Sequence, residues 1–234
     1  MIFPGRASSG WLRFEIMGMD GNRLGKILVS TPEPVKGNNG NGQYLDAKPE
    51  KGASMSVRIP LPEIESLTPE VRDVVKAFPL NVFLVAANAP ASIKGLTEFA
   101  RSVLFESAFD PKKREIAVLR VAHVTHADYE WTHHVELAAL TGLTSQEIEY
   151  IQFEDPVCSL GEEGNLLCRV ADEISRDVRL SDEALGLVLQ RYGVRQATEL
   201  ILCVSYFNFL SRFLESTRVE LEDQAAYERL RSIT

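Results

Sequence analysis

The chain has 234 residues, 45% of them hydrophobic and 25% charged, the balance of an ordinary globular protein long enough to bury a full core. Its net charge of −8 argues against a general polyanion binder, because gripping a phosphate backbone or an anionic lipid surface needs clustered Lys and Arg. The three cysteines, Cys158, Cys168 and Cys203, are widely separated and never spaced as CxxC, so neither a disulfide framework nor a dithiol redox centre is indicated and all three are read as buried, inert thiols.

The opening MIFPGRASSGW does not place a basic stretch before an apolar one and does not read as a secretory signal. The most apolar later run, 200–210, is interrupted by Ser205 and Asn208 and is shorter than the roughly 20 residues of a membrane span. A cytoplasmic protein with no membrane and no nucleic-acid partner is the expectation.

Residues 1–57 form a partly flexible N-terminal extension in this reading, marked by KGNNGNGQ at 36–43. Within it Leu12, Phe14 and Ile16 alternate with Arg13 and Glu15, Asp20 and Gly21 can turn, and 26–30 can return, the pattern of a small β-hairpin. Residues 58–234 read as one all-α domain. Thr68 with Pro69 caps a first helix, 81–87 and 91–105 follow, and Asp110 with Pro111 repeats the cap. After a break at 125–127, Asp128 is expected to cap a helix closed by Gly142, and Thr144 with Glu147 forms a capping-box pattern. Helices at 165–177, 182–192 and 196–214 complete the inventory. The last is apolar around most of its circumference, which fits burial either between subunits or at the centre of a single bundle.

All four histidines fall within 114–142, beside Glu115, Asp128, Tyr129, Glu130 and Trp131. Histidine is the side chain whose ordinary pKa lets it exchange a proton near neutrality. On a helix starting at Asp128, Glu130, His133 and His134 project together, and an antiparallel pairing across the break can bring Glu115 toward Glu130 and His134. A carboxylate beside an imidazole sets its tautomer and raises its pKa, which prepares a general acid. Other readings stand beside this one. His123 and His133 can simply satisfy backbone carbonyls, Glu115 and Glu130 can be first-turn acids, and Trp131 can be a core contact. His126, Glu130, His133 and His134 also offer ligand types at metal-binding spacing, although adjacent His133 and His134 diverge by about 100° on a helix; no metal is the preferred reading.

At these residues the chain resembles the carboxymuconolactone decarboxylase and alkylhydroperoxidase D superfamily. The likeness rests on Arg114-Glu115, the run 116–122, Tyr129-Glu130-Trp131, His134 and 138–142, and extends more weakly from Ile59-Pro60-Leu61 to Glu220, including Asn81-Val82-Phe83 and Asp172-Glu173. It implies an all-α, alkylhydroperoxidase D-like helical bundle and a homo-oligomer. The peroxidase branch resembles a glutamate followed by CxxCxxxH; counted from Glu115, its cysteine positions hold Ala127 and Glu130 here, while its histidine position holds His134. Thiol peroxide reduction needs those cysteines, so the resemblance implies the decarboxylase-like branch, acting without a cofactor on a small unsaturated carboxylated lactone or similar carboxylic acid. Isomerisation, dehydration or a non-catalytic binding role on the same scaffold are the alternatives.

Loss of CO2 from a carbon conjugated to a carbonyl leaves an enolate-like carbanion that an acid must protonate. His134 is the expected acid, Glu130 its orienting and polarising partner, and Glu115 a second base or water-holder. Tyr129, Trp131 and His133 are expected to shape the substrate wall, and Arg120, or else Arg114, to meet a substrate carboxylate.

Overall fold

A computed structural model describes residues 13–20, 23–30 and 57–222. Strands β1 (Arg13–Asp20) and β2 (Arg23–Ser30) pair antiparallel, Arg13 opposite Ser30 and Asp20 opposite Arg23. The expected hairpin is present, with its return strand starting three residues earlier than the alternation suggested. The glycine-rich stretch 36–43, and the flexibility expected of the extension, lie outside the described residues.

From 57 onward the described chain is helical. In α1 (Pro69–Ala77) the Thr68 hydroxyl accepts from the Val71 amide and proline occupies the first turn, where its missing N–H costs nothing. Helix α2 (Asn81–Ala86) is short and buried throughout, and α3 (Pro90–Arg101) passes into a π-helical turn at Ser102–Glu106. Asp110 caps α4 (Pro111–Val124) by accepting from the Lys113 amide at 3.0 Å. Next come α5 (Asp128–Leu140) and α6 (Ser145–Phe153), the latter with both halves of the Thr144–Glu147 capping box formed. Helices α7 (Gly161–Asp177) and α8 (Asp182–Thr217) complete the domain.

Two helix starts differ from expectation. Asp128 is the first helical residue of α5 rather than its cap; Ala127 takes the cap position without a side-chain bond, after His126 turns the chain at a positive φ of 55°. Helix α7 begins at Gly161, four residues before the expected Asn165, because the Asn165 amide side chain is used to close the preceding loop, accepting from Leu160 N (3.0 Å) and donating to Cys158 O (2.9 Å). Gly193 meets its expectation as a stop: with φ 69° and ψ 174° it breaks α8 into two arms, a backbone region in which side chains other than glycine are strained.

Helix α4 is the axis of the core, packed against α5, α6, α7 and α8. Every residue from Arg114 to Ala122 is buried. Fully enclosed Val118, Leu119 and Val121 each contribute about 1.5–3 kcal/mol relative to exposure. The second arm of α8 covers α4 with Leu200, Val204, Phe207 and Leu214. The N-terminal edge of the domain is tied to the end of α8 by the Ile59 amide donating to the Thr217 carbonyl (3.1 Å) and by an Arg58–Glu220 ion pair. Cys168 and Cys203 are buried as expected, and burial pushes both thiols up to about 12; Cys158 is exposed, since it lies in the loop before α7 rather than on a packed helix face. No helix among the described residues is long and apolar enough to cross a membrane.

Candidate active site

Helices α4 and α5 run back across the 125–127 break, and this places Glu115, near the start of α4, against His134, in the second turn of α5. The Glu115 carboxylate oxygen Oε2 lies 2.6 Å from His134 Nδ1, and Oε1 accepts from Arg114 Nε at 3.2 Å. On the other side of the ring, His134 Nε2 lies 3.4 Å from Glu130 Oε2, one helical turn back. The two carboxylates and the histidine expected to converge are therefore together. All are buried: Glu115 is 1% exposed, Glu130 4% and His134 4%. The Phe207 ring of α8 meets the imidazole edge-on, with centroids 4.7 Å apart.

Burial alone would strip the charge from His134, but the charge of Glu115 and its hydrogen bond, joined by Glu130, override it and hold the imidazole up at about 9. Burial likewise acts to raise the Glu115 carboxyl, and the His134 charge and hydrogen bond, with those of Arg114, bring it below its ordinary value. At neutral pH the ring is an imidazolium whose Nδ1–H donates to Glu115 and whose Nε2 faces Glu130. The contact at Nδ1 is a short charge-assisted hydrogen bond; the contact at Nε2 is longer than a good N–H···O bond. Nε2–H is thus the proton most easily redirected to another acceptor.

The neighbouring His133 belongs to a different cluster. Its Nδ1 donates to the Tyr129 carbonyl (2.8 Å) and its Nε2 lies 2.9 Å from Glu222 Oε2. Glu222 also accepts from the Asn81 amide (2.6 Å) and from the Tyr129 hydroxyl, whose ring stacks on His133 at 4.3 Å. Burial works against charge on both groups, yet Glu222 raises the His133 pKa and His133 lowers that of Glu222. Sequence reasoning missed Glu222 because no spacing rule links it to a histidine 89 positions away. It missed Tyr206 as well, whose buried hydroxyl is without a hydrogen-bond partner among the described residues; within the apolar run of α8 it looked like packing alone.

Arg120, expected to meet a substrate carboxylate, does not. It is wholly buried on the face of α4 away from Glu115, and each of its five N–H donors is taken: Asp172 at 2.6 and 3.0 Å, the Ile151 and Glu154 carbonyls both at 2.8 Å, and Asp155 at 3.1 Å. With no donor to spare it is a structural tie between α4, α6 and α7. The wall residues divide too. Tyr129 and His133 are engaged with Glu222, while Trp131 is half-buried, packed on the core and 6.1 Å from the His123 ring. The four residues of the metal alternative do not share a centre: His126 sits in the break and His133 faces Glu222, and among the described residues no group of three His, Cys, Asp or Glu side chains is disposed to hold a metal ion.

Two hollows among the described residues lie away from this cluster. One, about 710 Å³, is lined by Val157, Leu166, Arg169, Leu187 and Arg191; the other, about 370 Å³, by Thr125, Ser211, Arg212 and Glu215. Neither includes His134.

Residues 90–159 match the model of the carboxymuconolactone decarboxylase family. No curated protein matches the chain. Among solved structures, the alkylhydroperoxidase AhpD core of an uncharacterized peroxidase-related protein from Ralstonia eutropha is similar at 14% identity, covering 71% of this chain and 93% of its own, with a TM-score of 0.61. An uncharacterized peroxidase-related protein from Silicibacter sp. is similar at 16% identity over 72% and 92%, with a TM-score of 0.59. At these identities the two structures speak for the fold alone. The matched segment holds both Glu115 and His134, so the chain is similar to the carboxymuconolactone decarboxylase family over that segment and shares the alkylhydroperoxidase D-like fold.

Proposed function

We propose that the Glu115–His134–Glu130 cluster is the proton donor of a cofactor-free decarboxylase acting on a small unsaturated carboxylated lactone or a similar carboxylic acid. The observation that carries this reading is a buried imidazolium anchored at Nδ1 by a 2.6 Å bond and only loosely held at Nε2. As the carbon–carboxylate bond breaks, its electron pair enters the conjugated carbonyl and CO2 departs. His134 Nε2 then delivers its proton to the carbanionic carbon, Glu115 holds the ring in place, and water returns the proton. The closed surroundings favour expulsion of CO2, since a carboxylate is poorly solvated in an apolar site. Reaching Nε2 requires Glu130, the looser partner, to swing aside.

The solved structures in the same fold are called peroxidase-related, but thiol peroxidase chemistry finds no support in the residues at 127 and 130, which are alanine and glutamate. Isomerisation or dehydration would use the same acid without releasing CO2. We also read 58–234 as the working domain with 1–57 appended to it, and the protein as cytoplasmic and a homo-oligomer; the association is supported by Phe99, Leu202 and Phe209, which leave large apolar side chains 40–52% exposed.

The test is CO2 release from carboxymuconolactone and related lactone acids by the purified protein and by His134→Gln. Turnover falling by about 10²–10⁴-fold in the variant is expected. Equal turnover in the two proteins removes His134 from its role, and consumption of substrate without CO2 transfers the site to isomerisation or dehydration.

A further inference from the structure

Tyr206 lies on the second arm of α8, 2% exposed, and its hydroxyl is one of three buried side-chain polar atoms without a hydrogen-bond partner among the described residues. Burying a hydroxyl unpaired is unfavourable, and such an atom calls for an explanation. Its ring is clamped by three others: Phe99 at 5.0 Å, Phe207 at 5.3 Å and Phe209 at 6.4 Å between centroids. None of them offers an acceptor. Phe207 is the same ring that meets His134 edge-on at 4.7 Å, so one aromatic side chain packs against both the tyrosine ring and the imidazole. Burial first, and then the charges of Glu130 and Cys203, push the phenol well above its ordinary pKa. It therefore stays a neutral O–H donor across the whole working pH range.

We propose that Tyr206 is a substrate-contacting residue of the His134 site, its hydroxyl donating a hydrogen bond to the substrate oxygen that gains charge as the carbanion forms. This rests on the proposed proton-donor role of His134 and extends it: one group supplies the proton to carbon, and the other stabilises the oxygen on which the electron pair resides. The phenol donates without giving up its proton, so the balance of the reaction is unchanged. Substrates are restricted to acids whose labile carboxylate is conjugated to a carbonyl oxygen, since a saturated acid presents nothing for Tyr206 to hold.

The experiment compares the full-length protein with Tyr206→Phe in three measurements. Thermal unfolding is expected to show the variant equally stable or more so, because the change deletes an unpaired buried polar atom; a clear drop in Tm reveals a structural partner and overturns the proposal. In CO2 release from carboxymuconolactone, kcat is expected to fall by about 10²-fold with KM little changed, as on removal of one oxyanion donor; unchanged kcat overturns it. The third is NMR of ζ-¹³C-labelled tyrosine, with the Tyr206 signal identified by its loss in the variant, titrated with carboxymuconolactone. A shift of that signal in a protein that releases no CO2 keeps Tyr206 as a ligand contact and discards decarboxylation. Turnover with no shift discards Tyr206 alone, and neither turnover nor shift discards both.

Discussion

Helix α4 carries two buried charged clusters on opposite faces, and they are built on different rules. Around Arg120, five donors meet acceptors at 2.6–3.1 Å with nothing left over. Around Glu115 and His134, one contact is tight, its counterpart is stretched to 3.4 Å, and the hydroxyl of Tyr206, whose ring also packs on Phe207, has no partner among the described residues. A saturated cluster has no capacity to bind anything further and works as a fastening. An unsaturated one keeps a polar group without a partner among the described residues, at an unfavourable energy. Burial and charge alone do not separate the two; counting donors against acceptors does.

Three measurements press on this contrast. The largest effect is expected from Arg120→Met, which leaves Asp172 and two carbonyls without their cation. Stability in urea should fall by about 3–5 kcal/mol, the cost of breaking a buried ion pair from one side, and a loss below about 1 kcal/mol would mean that the cluster is not the fastening described. A smaller effect follows from Glu222→Gln, which keeps the shape of the second histidine cluster but removes its charge. A loss of about 1–3 kcal/mol, with CO2 release retained, would confirm that His133 belongs to the fold; lost turnover in a stable variant would join the two clusters into one site.

The smallest effect is in pH. His134 has a folded pKa of about 9, above the value near 6.5 expected of the unfolded chain, so its contribution to stability is full below about 6.5 and disappears as pH rises through 9. Glu136, which burial raises to about 7, titrates mostly below pH 7.5. Between pH 7.5 and 9 the decline in Tm should then be shallower in His134→Gln than in the parent. An identical slope in the two would show that the imidazole is not held charged. Toward acid the sign reverses: Glu115 and Glu222, both lowered, contribute stability above roughly pH 4–5 that is lost as pH falls through their folded values.

The helix inventory was legible because its signals are local. Thr68-Pro69, Asp110-Pro111 and Thr144 with Glu147 each satisfy amides within one turn of themselves, and all three caps form. Asp128 shows the limit. A cap residue needs extended backbone, and the turn at His126, not the identity of Asp128, decided where helical geometry began. The candidate site was half legible. Glu130 and His134 share a helix face by spacing, and Glu115 could be aimed at them across a short break. Arg120 was misread because its four partner residues come from α6, α7 and the segment that joins them, remote in sequence and silent in any local pattern.

What the amino-acid order settled by itself is therefore whatever one or two helical turns can enforce: where most helices start, which faces are apolar, that an imidazole sits one turn from a carboxylate, and that positions 127 and 130 hold no thiol. What only the tertiary structure decided is which charges are satisfied. Hydrogen-bond capacity is used up by partners from anywhere in the chain, so the saturation of Arg120, the capture of His133 by Glu222 and the isolation of the Tyr206 hydroxyl exist only once the helices have packed.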